Sequence, residues 1–166
     1  MAVHIQTMLV ATDFSDASTA ATTYAFKLAR ALQARLYVMH VVPEDDVRVL
    51  TAIRTHLLSE VTPETLVETF YTEADQRLKR LVQDGQVADL LQESLIVTGQ
   101  PAAAIVSWAT TKQVQLLVLG SHGRSGMTRF LMGSVNSVRL NFCVAVELSA
   151  SSGQYARPIP LLWPSH

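Results

Sequence analysis

The chain has 166 residues, 49% of them hydrophobic, and its 13 lysines and arginines against 14 aspartates and glutamates give a formal net charge of −1. This length and composition predict a single domain with a sizeable core, and the balanced charge disfavours nucleic acid and other polyanions as partners. The N-terminus lacks a basic leader, and no apolar run reaches the roughly 18 residues of a membrane span, so no membrane association is expected.

Cysteine usage points to a reducing compartment. The one cysteine, Cys143, excludes an internal disulfide and any cysteine-rich metal site, and cytoplasmic localisation is expected. Its neighbours Phe142, Val144 and Val146 indicate a small buried hydrophobic residue rather than a reactive thiol.

Strands and helices are predicted to alternate along the chain. After a first strand, Asp13 to Asp16 supply capping side chains for a helix whose apolar residues run at helical spacing from Ala20 to Leu32. The predicted strands cover residues 8–12, 36–42, 95–98, 115–119 and 143–148, and the later helices cover 47–61, 63–82, 102–111 and a short stretch around 135–140.

This alternation, with short connections, predicts an α/β domain over residues 1–148: an open parallel five-stranded sheet with helices on both faces. Residues 149–166 change in composition, with Gly153 and prolines at 158, 160 and 164 but no periodicity. We expect this C-terminal tail to be irregular.

A glycine array follows the fourth predicted strand, with the spacing Gly120-x2-Gly123-x9-Gly133-Ser134. Glycines allow backbone N–H groups to converge on an anion, and the positive end of a following helix attracts phosphate. In open parallel sheets, ligands bind at the carboxyl ends of the strands where the strand order reverses. Asp13 and Gly120 would share that crevice if the first and fourth strands are neighbours.

Better-known nucleotide and hydrolase signatures are absent. The array lacks the Gly-Lys-Ser/Thr ending of a P-loop, no GxGxxG follows the first strand, and there is no GxSxG elbow. His122 and the neighbouring serines therefore have no nucleophile geometry, and no catalytic residue is assigned.

Spaced in this way, the array resembles the ATP-binding branch of the universal stress protein family. The segments Met8–Ser15 and Leu36–Val42, the turn Gly99–Pro101 and the run Leu116–Gly126 are similar to family segments in their usual order. Together the resemblance covers roughly residues 5 to 135.

The resemblance implies a Rossmann-like fold with strand order 3-2-1-4-5, bound ATP accompanied by Mg²⁺, and a homodimer. It implies that Asp13 contacts a ribose hydroxyl and that the Val41 backbone meets adenine. The other implied nucleotide-binding residues are Ala11, Thr12, Gly120, His122, Gly123, Arg124, Gly133, Ser134, Val135 and Asn136. No protein metal ligand is implied.

Several of these residues have simpler interpretations. Asp13 could serve only as a helix cap, His122 as an exposed loop histidine, Arg124 as a solvated charge, and the glycines as a tight turn. His40 lies between Met39 and Val41 and is interpreted as a strand histidine rather than a metal ligand.

One departure from the family pattern concerns the C-terminus. The segment from residue 135 to 143 is about two residues shorter than in the family and has no proline before the last strand, which often pairs across a dimer. The shortened segment predicts a last helix that is one turn short, and Glu147 within the last strand, together with the tail behind it, puts that dimer edge in doubt.

The leading functional hypothesis is a small ATP-binding stress-response protein that acts as a regulatory module with an unknown protein partner. Slow ATP hydrolysis is the most that the array suggests, because no catalytic base is evident. The alternative is a nucleotide-free dimeric interaction protein of the same fold. An adenylyl-transferring or ATP-pyrophosphatase enzyme is disfavoured, because H-x-G-H and S-G-G-x-D-S motifs are missing near the first strand.

Overall fold

The computed structural model describes residues 4–57, 63–120, 142–148 and 156–161. Within them, strands and helices alternate as predicted. The elements are β1 (Thr7–Ala11), α1 (Asp16–Leu32), β2 (Arg35–Pro43), α2 (Glu44–Leu57), α3 (Pro63–Asp84), β3 (Leu91–Gly99), α4 (Pro101–Thr111), β4 (Leu116–Gly120), β5 (Phe142–Leu148) and β6 (Ala156–Leu161).

One sheet carries all the described strands, in the order β3-β2-β1-β4-β5-β6. The pairings of β2 with β3, β1 with β2, β1 with β4, and β4 with β5 are all parallel. The predicted α/β fold and the order 3-2-1-4-5 are therefore confirmed. The short helix predicted around residues 135–140 lies outside the described residues.

The C-terminal tail contains a strand that the sequence analysis did not predict. Residues 149–166 were expected to be irregular, but Ala156–Leu161 form β6, which pairs antiparallel with β5 and extends the five predicted strands to six. The expectation is wrong for these six residues. An edge strand tolerates prolines that a central strand would not, so Pro158 and Pro160 do not prevent this pairing.

Two other boundaries differ from the predicted ones. β3 begins at Leu91 rather than at residue 95, and Leu91 pairs with Leu36 of β2. α2 begins at Glu44, directly after the strand, rather than at residue 47, because acidic residues occupy its first turn, where negative charge is favoured.

The core lies on both faces of β1, whose five residues are all buried. On one face Met8 and Val10 pack with α1 residues and with Leu78 of α3. On the other, Leu9 and Ala11 pack with Ile105 of α4. Burial on both faces explains why β1 is a continuous apolar run and not an alternating one. Of the helices in the described ranges, none is both long and apolar enough to cross a bilayer.

Candidate functional site

The strand order reverses between β1 and β4. β1 leads to β2 and β3 on one side, and β4 leads to β5 on the other. Met8 pairs with Leu116 and Val10 with Val118, so the segment after β1 and Gly120 at the end of β4 lie at the same edge of the sheet. This edge, bounded by residues 11–13, Val41 and Gly120, is called the crevice below.

Thr12 anchors the loop between β1 and α1. Its backbone N–H donates to the Met39 carbonyl at 2.9 Å, and its hydroxyl oxygen accepts from the Phe14 N–H at 3.1 Å. The Thr12 and Ser18 hydroxyl oxygens are 3.0 Å apart. Because the Ser18 hydroxyl donates to the Ser15 carbonyl, Thr12 is the donor in this pair. Both hydroxyls are buried and satisfied, which fixes the start of the loop.

Asp13 is partly buried and is oriented by Ser15. One carboxylate oxygen, Oδ1, accepts from the Ser15 N–H at 3.0 Å and from the Ser15 hydroxyl at 2.6 Å. Ser15 itself is the N-cap of α1, and its hydroxyl oxygen accepts from the Ser18 N–H. The helix cap is thus Ser15, and the Asp13 carboxylate is held beside it.

Phe14 adopts a backbone conformation that is uncommon for a large side chain. Its φ is 60°, in the left-handed region. Its ring lies 4.5 Å from the His40 ring, centroid to centroid, and the Arg77 guanidinium carbon lies 4.6 Å from the Phe14 centroid. Contacts from β2 and α3 therefore hold the residue next to Asp13.

His40 connects β2 to the same loop. Its Nδ1 lies 2.8 Å from the Thr12 carbonyl oxygen, and because a carbonyl only accepts, Nδ1 carries the proton. Burial lowers the pKa of His40, and the Arg77 charge lowers it further, while the Thr12 hydrogen bond and the Asp13 charge act in the opposite direction. Across the described ranges, no group of three or more histidines, cysteines or carboxylates could hold a metal ion.

The side chain and the backbone of Val41 face different surroundings. The side chain is buried in the cluster that faces α4. The β1–β2 register ends at Ala11 and Met39, and the Met39 carbonyl already accepts from Thr12. Backbone polar groups two residues apart point to the same side of a strand, so those of Val41 face the crevice beyond the end of β1.

Gly120 is required by packing. A Cβ at this position would lie 2.9 Å from the Ala17 carbonyl carbon and 2.9 Å from the Ser18 nitrogen, closer than such contacts are observed. The end of β4 thus rests directly on the backbone of the first turn of α1. Any side chain here would push apart two elements that border the crevice.

The structure brings together five of the residues expected from sequence, namely Ala11, Thr12, Asp13, Val41 and Gly120. The other seven, His122, Gly123, Arg124, Gly133, Ser134, Val135 and Asn136, lie outside the described residues.

Three features that hold the loop between β1 and α1 in place were not predicted from the sequence: the conformation of Phe14, the contact of Arg77 with it, and the hydrogen bond made by His40. No local pattern marks a phenylalanine with positive φ, and Arg77 is one of several charged residues along α3 that the sequence does not distinguish from one another. Only His40 had a signal, because a histidine in an apolar strand needs a hydrogen-bond partner.

Four similarities to known proteins are relevant here: a family model, one related sequence and two solved structures. The model of the universal stress protein family matches residues 4–138. Universal stress protein YxiE of Bacillus subtilis (strain 168) is 31% identical over 134 residues, which cover 78% of this chain and 87% of that protein.

Among solved structures, that of MJ0577 from Methanocaldococcus jannaschii has a TM-score of 0.68 at 18% identity and covers 90% of this chain and 100% of its own. A universal stress protein in complex with cAMP has a TM-score of 0.53 at 26% identity and covers 89% of this chain and 100% of its own. The similarity to MJ0577, at 18% identity, supports the fold alone.

Proposed function

The chain belongs to the universal stress protein family, and from this membership we propose that it binds ATP, with Mg²⁺, in the crevice and acts as a nucleotide-dependent regulatory module in a stress response. The observation that carries the proposal is the adjacency of β1 and β4, which places Asp13 and Gly120 at the point where the strand order reverses.

The nucleoside is assigned to the described side of the crevice. The Asp13 carboxylate accepts from a ribose hydroxyl, and the Val41 backbone, which faces past the end of β1, meets the adenine edge. Ala11 and Thr12 form the floor between them. A carboxylate that Ser15 already orients loses little freedom on binding, so it suits this role.

The phosphates are assigned to the glycine array that begins at Gly120. This assignment rests on the spacing of the motif, with His122, Gly123, Arg124 and the segment Gly133–Asn136 supplying backbone N–H groups and polar side chains. Mg²⁺ is assigned chiefly to phosphate oxygens, as is usual for this ion with nucleotides.

The similarity to a universal stress protein in complex with cAMP supports an adenine nucleotide as the ligand class. Cyclic AMP and ATP share the adenine, ribose and phosphate groups that the crevice would recognise. The absence of a catalytic base in the motif supports regulation over fast turnover, with slow hydrolysis at most. The single cysteine supports action in a reducing, cytoplasmic compartment.

Titration calorimetry with Mg-ATP tests this function. Asp13→Asn keeps an Oδ1 that can accept from Ser15 but removes the charge, so we expect the affinity to fall about tenfold with the fold intact. Asp16→Asn is the matched control, because Asp16 is exposed in the first turn of α1. Its affinity should stay within about twofold of that of the wild-type protein.

The phosphate half of the site is tested by Gly123→Val and Gly133→Val, each of which should weaken Mg-ATP binding strongly. Tight binding that neither change affects would disprove the phosphate assignment. A wild-type protein with no heat of binding or thermal shift for ATP, ADP, AMP or cAMP would instead favour the nucleotide-free interaction protein.

A further inference from the structure

The edge of the sheet beyond β4 is completed by the chain's own C-terminal segment. β6 runs antiparallel to β5, and the register extends without a break from Cys143 opposite Leu161 to Leu148 opposite Ala156. Every β5 position from 143 to 148 therefore has a partner within the same chain.

The two prolines of β6 fix which of its backbone groups face β5. In an antiparallel ladder, pairs that exchange two hydrogen bonds alternate with pairs that exchange none. Proline has no N–H, so Pro158 and Pro160 belong to the non-bonded pairs, opposite Val146 and Val144. The bonded pairs are those of Arg157, Ile159 and Leu161.

The same alternation leaves both prolines with their backbone directed to the outer edge of β6. That edge lacks the N–H donors of two alternate residues, so a further strand could not form a regular ladder along it. Proline on an edge strand is one of the devices by which proteins prevent edge-to-edge pairing.

We infer that β6 is a self-supplied strand that occupies the β5 edge and, through Pro158 and Pro160, closes this end of the sheet to a second copy of the chain. A homodimer of the kind implied by the family resemblance would need the β5 edge, which β6 already fills. Any self-association of this chain must therefore use another surface.

A cross-link tests the pairing in the full chain. Cys143 is the only cysteine and its ladder partner is Leu161, so Leu161→Cys places two cysteines at paired positions, where the Cα atoms of a ladder are close enough for a disulfide. After oxidation we expect a disulfide within one chain, seen as a species of 18.2 kDa whose mobility changes on reduction.

Pro160→Cys is the control, because it stands one position out of register with Cys143 and should cross-link much more slowly. A covalent dimer of Leu161→Cys, or no disulfide in that variant, would overturn the inference. Equal cross-linking of the two variants would overturn it as well.

The role of the prolines is tested by the double variant Pro158→Thr and Pro160→Thr, which returns two N–H donors to the outer edge and adds strand propensity. Light scattering over a concentration series should show its average mass rise above that of the wild-type protein, toward twice 18.2 kDa. Pro164→Thr, outside β6, should leave the mass unchanged. A double variant that associates no more than the wild-type protein would overturn the inference.

Discussion

The Nδ1 atom of His40 lies 2.8 Å from the carbonyl oxygen of Thr12, so a histidine of β2 holds the loop that carries Asp13. The contact spans 28 residues of sequence and joins β2 to the loop after β1, at the edge where the crevice lies. Burial of the imidazole is the chief cause of its lowered pKa. The same histidine therefore makes the stability of the loop sensitive to pH.

Acidification should reduce the stability of the wild-type protein in a way that depends on His40. Because the folded-state pKa lies below the usual value of 6.5, the unfolded chain takes up the proton first as the pH falls through 6.5. Stability is then lost until the folded-state pKa is reached, and this contribution is constant below it. In His40→Asn the contribution should be absent, whereas His4→Asn, which removes an exposed histidine, should retain it.

The measurement is the free energy of unfolding in urea at about pH 7.5 and about pH 5.5 for the three proteins. His40→Asn should show a smaller loss between these two values than the wild-type protein. An equal loss of unfolding free energy in the wild-type protein and in His40→Asn would contradict a buried, neutral His40.

Phe14 should tolerate glycine better than alanine. Both changes remove the ring, but alanine keeps the steric cost of a Cβ at φ 60°, whereas glycine does not. We expect Phe14→Gly to be about 1 kcal/mol more stable than Phe14→Ala. Lys27, exposed in the middle of α1, is the matched position, where alanine should be more stable than glycine by about 1 kcal/mol.

Urea unfolding of these four variants gives the comparison directly. If the alanine variant were more stable than the glycine variant at position 14, as is expected at position 27, Phe14 would not be held in the left-handed conformation.

Thr12→Val should cost about 1–3 kcal/mol of unfolding free energy, although valine has nearly the same shape. The change removes the hydroxyl that accepts from the Phe14 N–H and donates to Ser18, so the part-buried Phe14 N–H loses this acceptor and the buried Ser18 hydroxyl loses one of its two partners. Thr12→Ser keeps the hydroxyl and loses only a methyl group, so it should cost less than valine. A serine variant less stable than the valine variant would show that the methyl packing dominates.

Gly120→Ala should destabilise the protein by about 1–3 kcal/mol, the usual cost of overpacking. The added Cβ would meet backbone atoms of Ala17 and Ser18 that cannot rotate away. Thermal unfolding measures the loss. A variant with the midpoint of the wild-type protein would contradict the close contact between β4 and α1.

Local sequence patterns were sufficient to predict most of the fold. β1 and β2 are apolar runs that end at polar residues or proline. α1 has apolar residues at helical spacing, and Ser15 caps it. Both kinds of element could therefore be assigned from the sequence. The order of the strands came from the family resemblance, because no local pattern states which strand lies beside which.

β6 could not be predicted in this way. Its two prolines and the preceding Gly153 are typical of loops, and the strand exists only through pairing with β5, a contact between separate segments. The same holds for Phe14, whose ring contacts His40 and Arg77, residues distant in sequence.

At the candidate site, Asp13 and Gly120 were expected to share one crevice if the first and fourth strands were neighbours, and β1 and β4 are neighbours. The reason for a glycine at 120 was only partly predicted. The sequence indicated access for an anion, whereas the structure adds a steric reason, contact with the backbone of α1. The nucleotide-binding roles of both residues stay predictions.

The hydroxyl of Ser15 donates to Asp13 and accepts from the first-turn N–H of Ser18. One oxygen atom thus joins the carboxylate at the crevice to the origin of a helix that runs 17 residues along the sheet. Removal of this single hydroxyl would therefore weaken the hold on the Asp13 carboxylate and the cap of α1 at the same time.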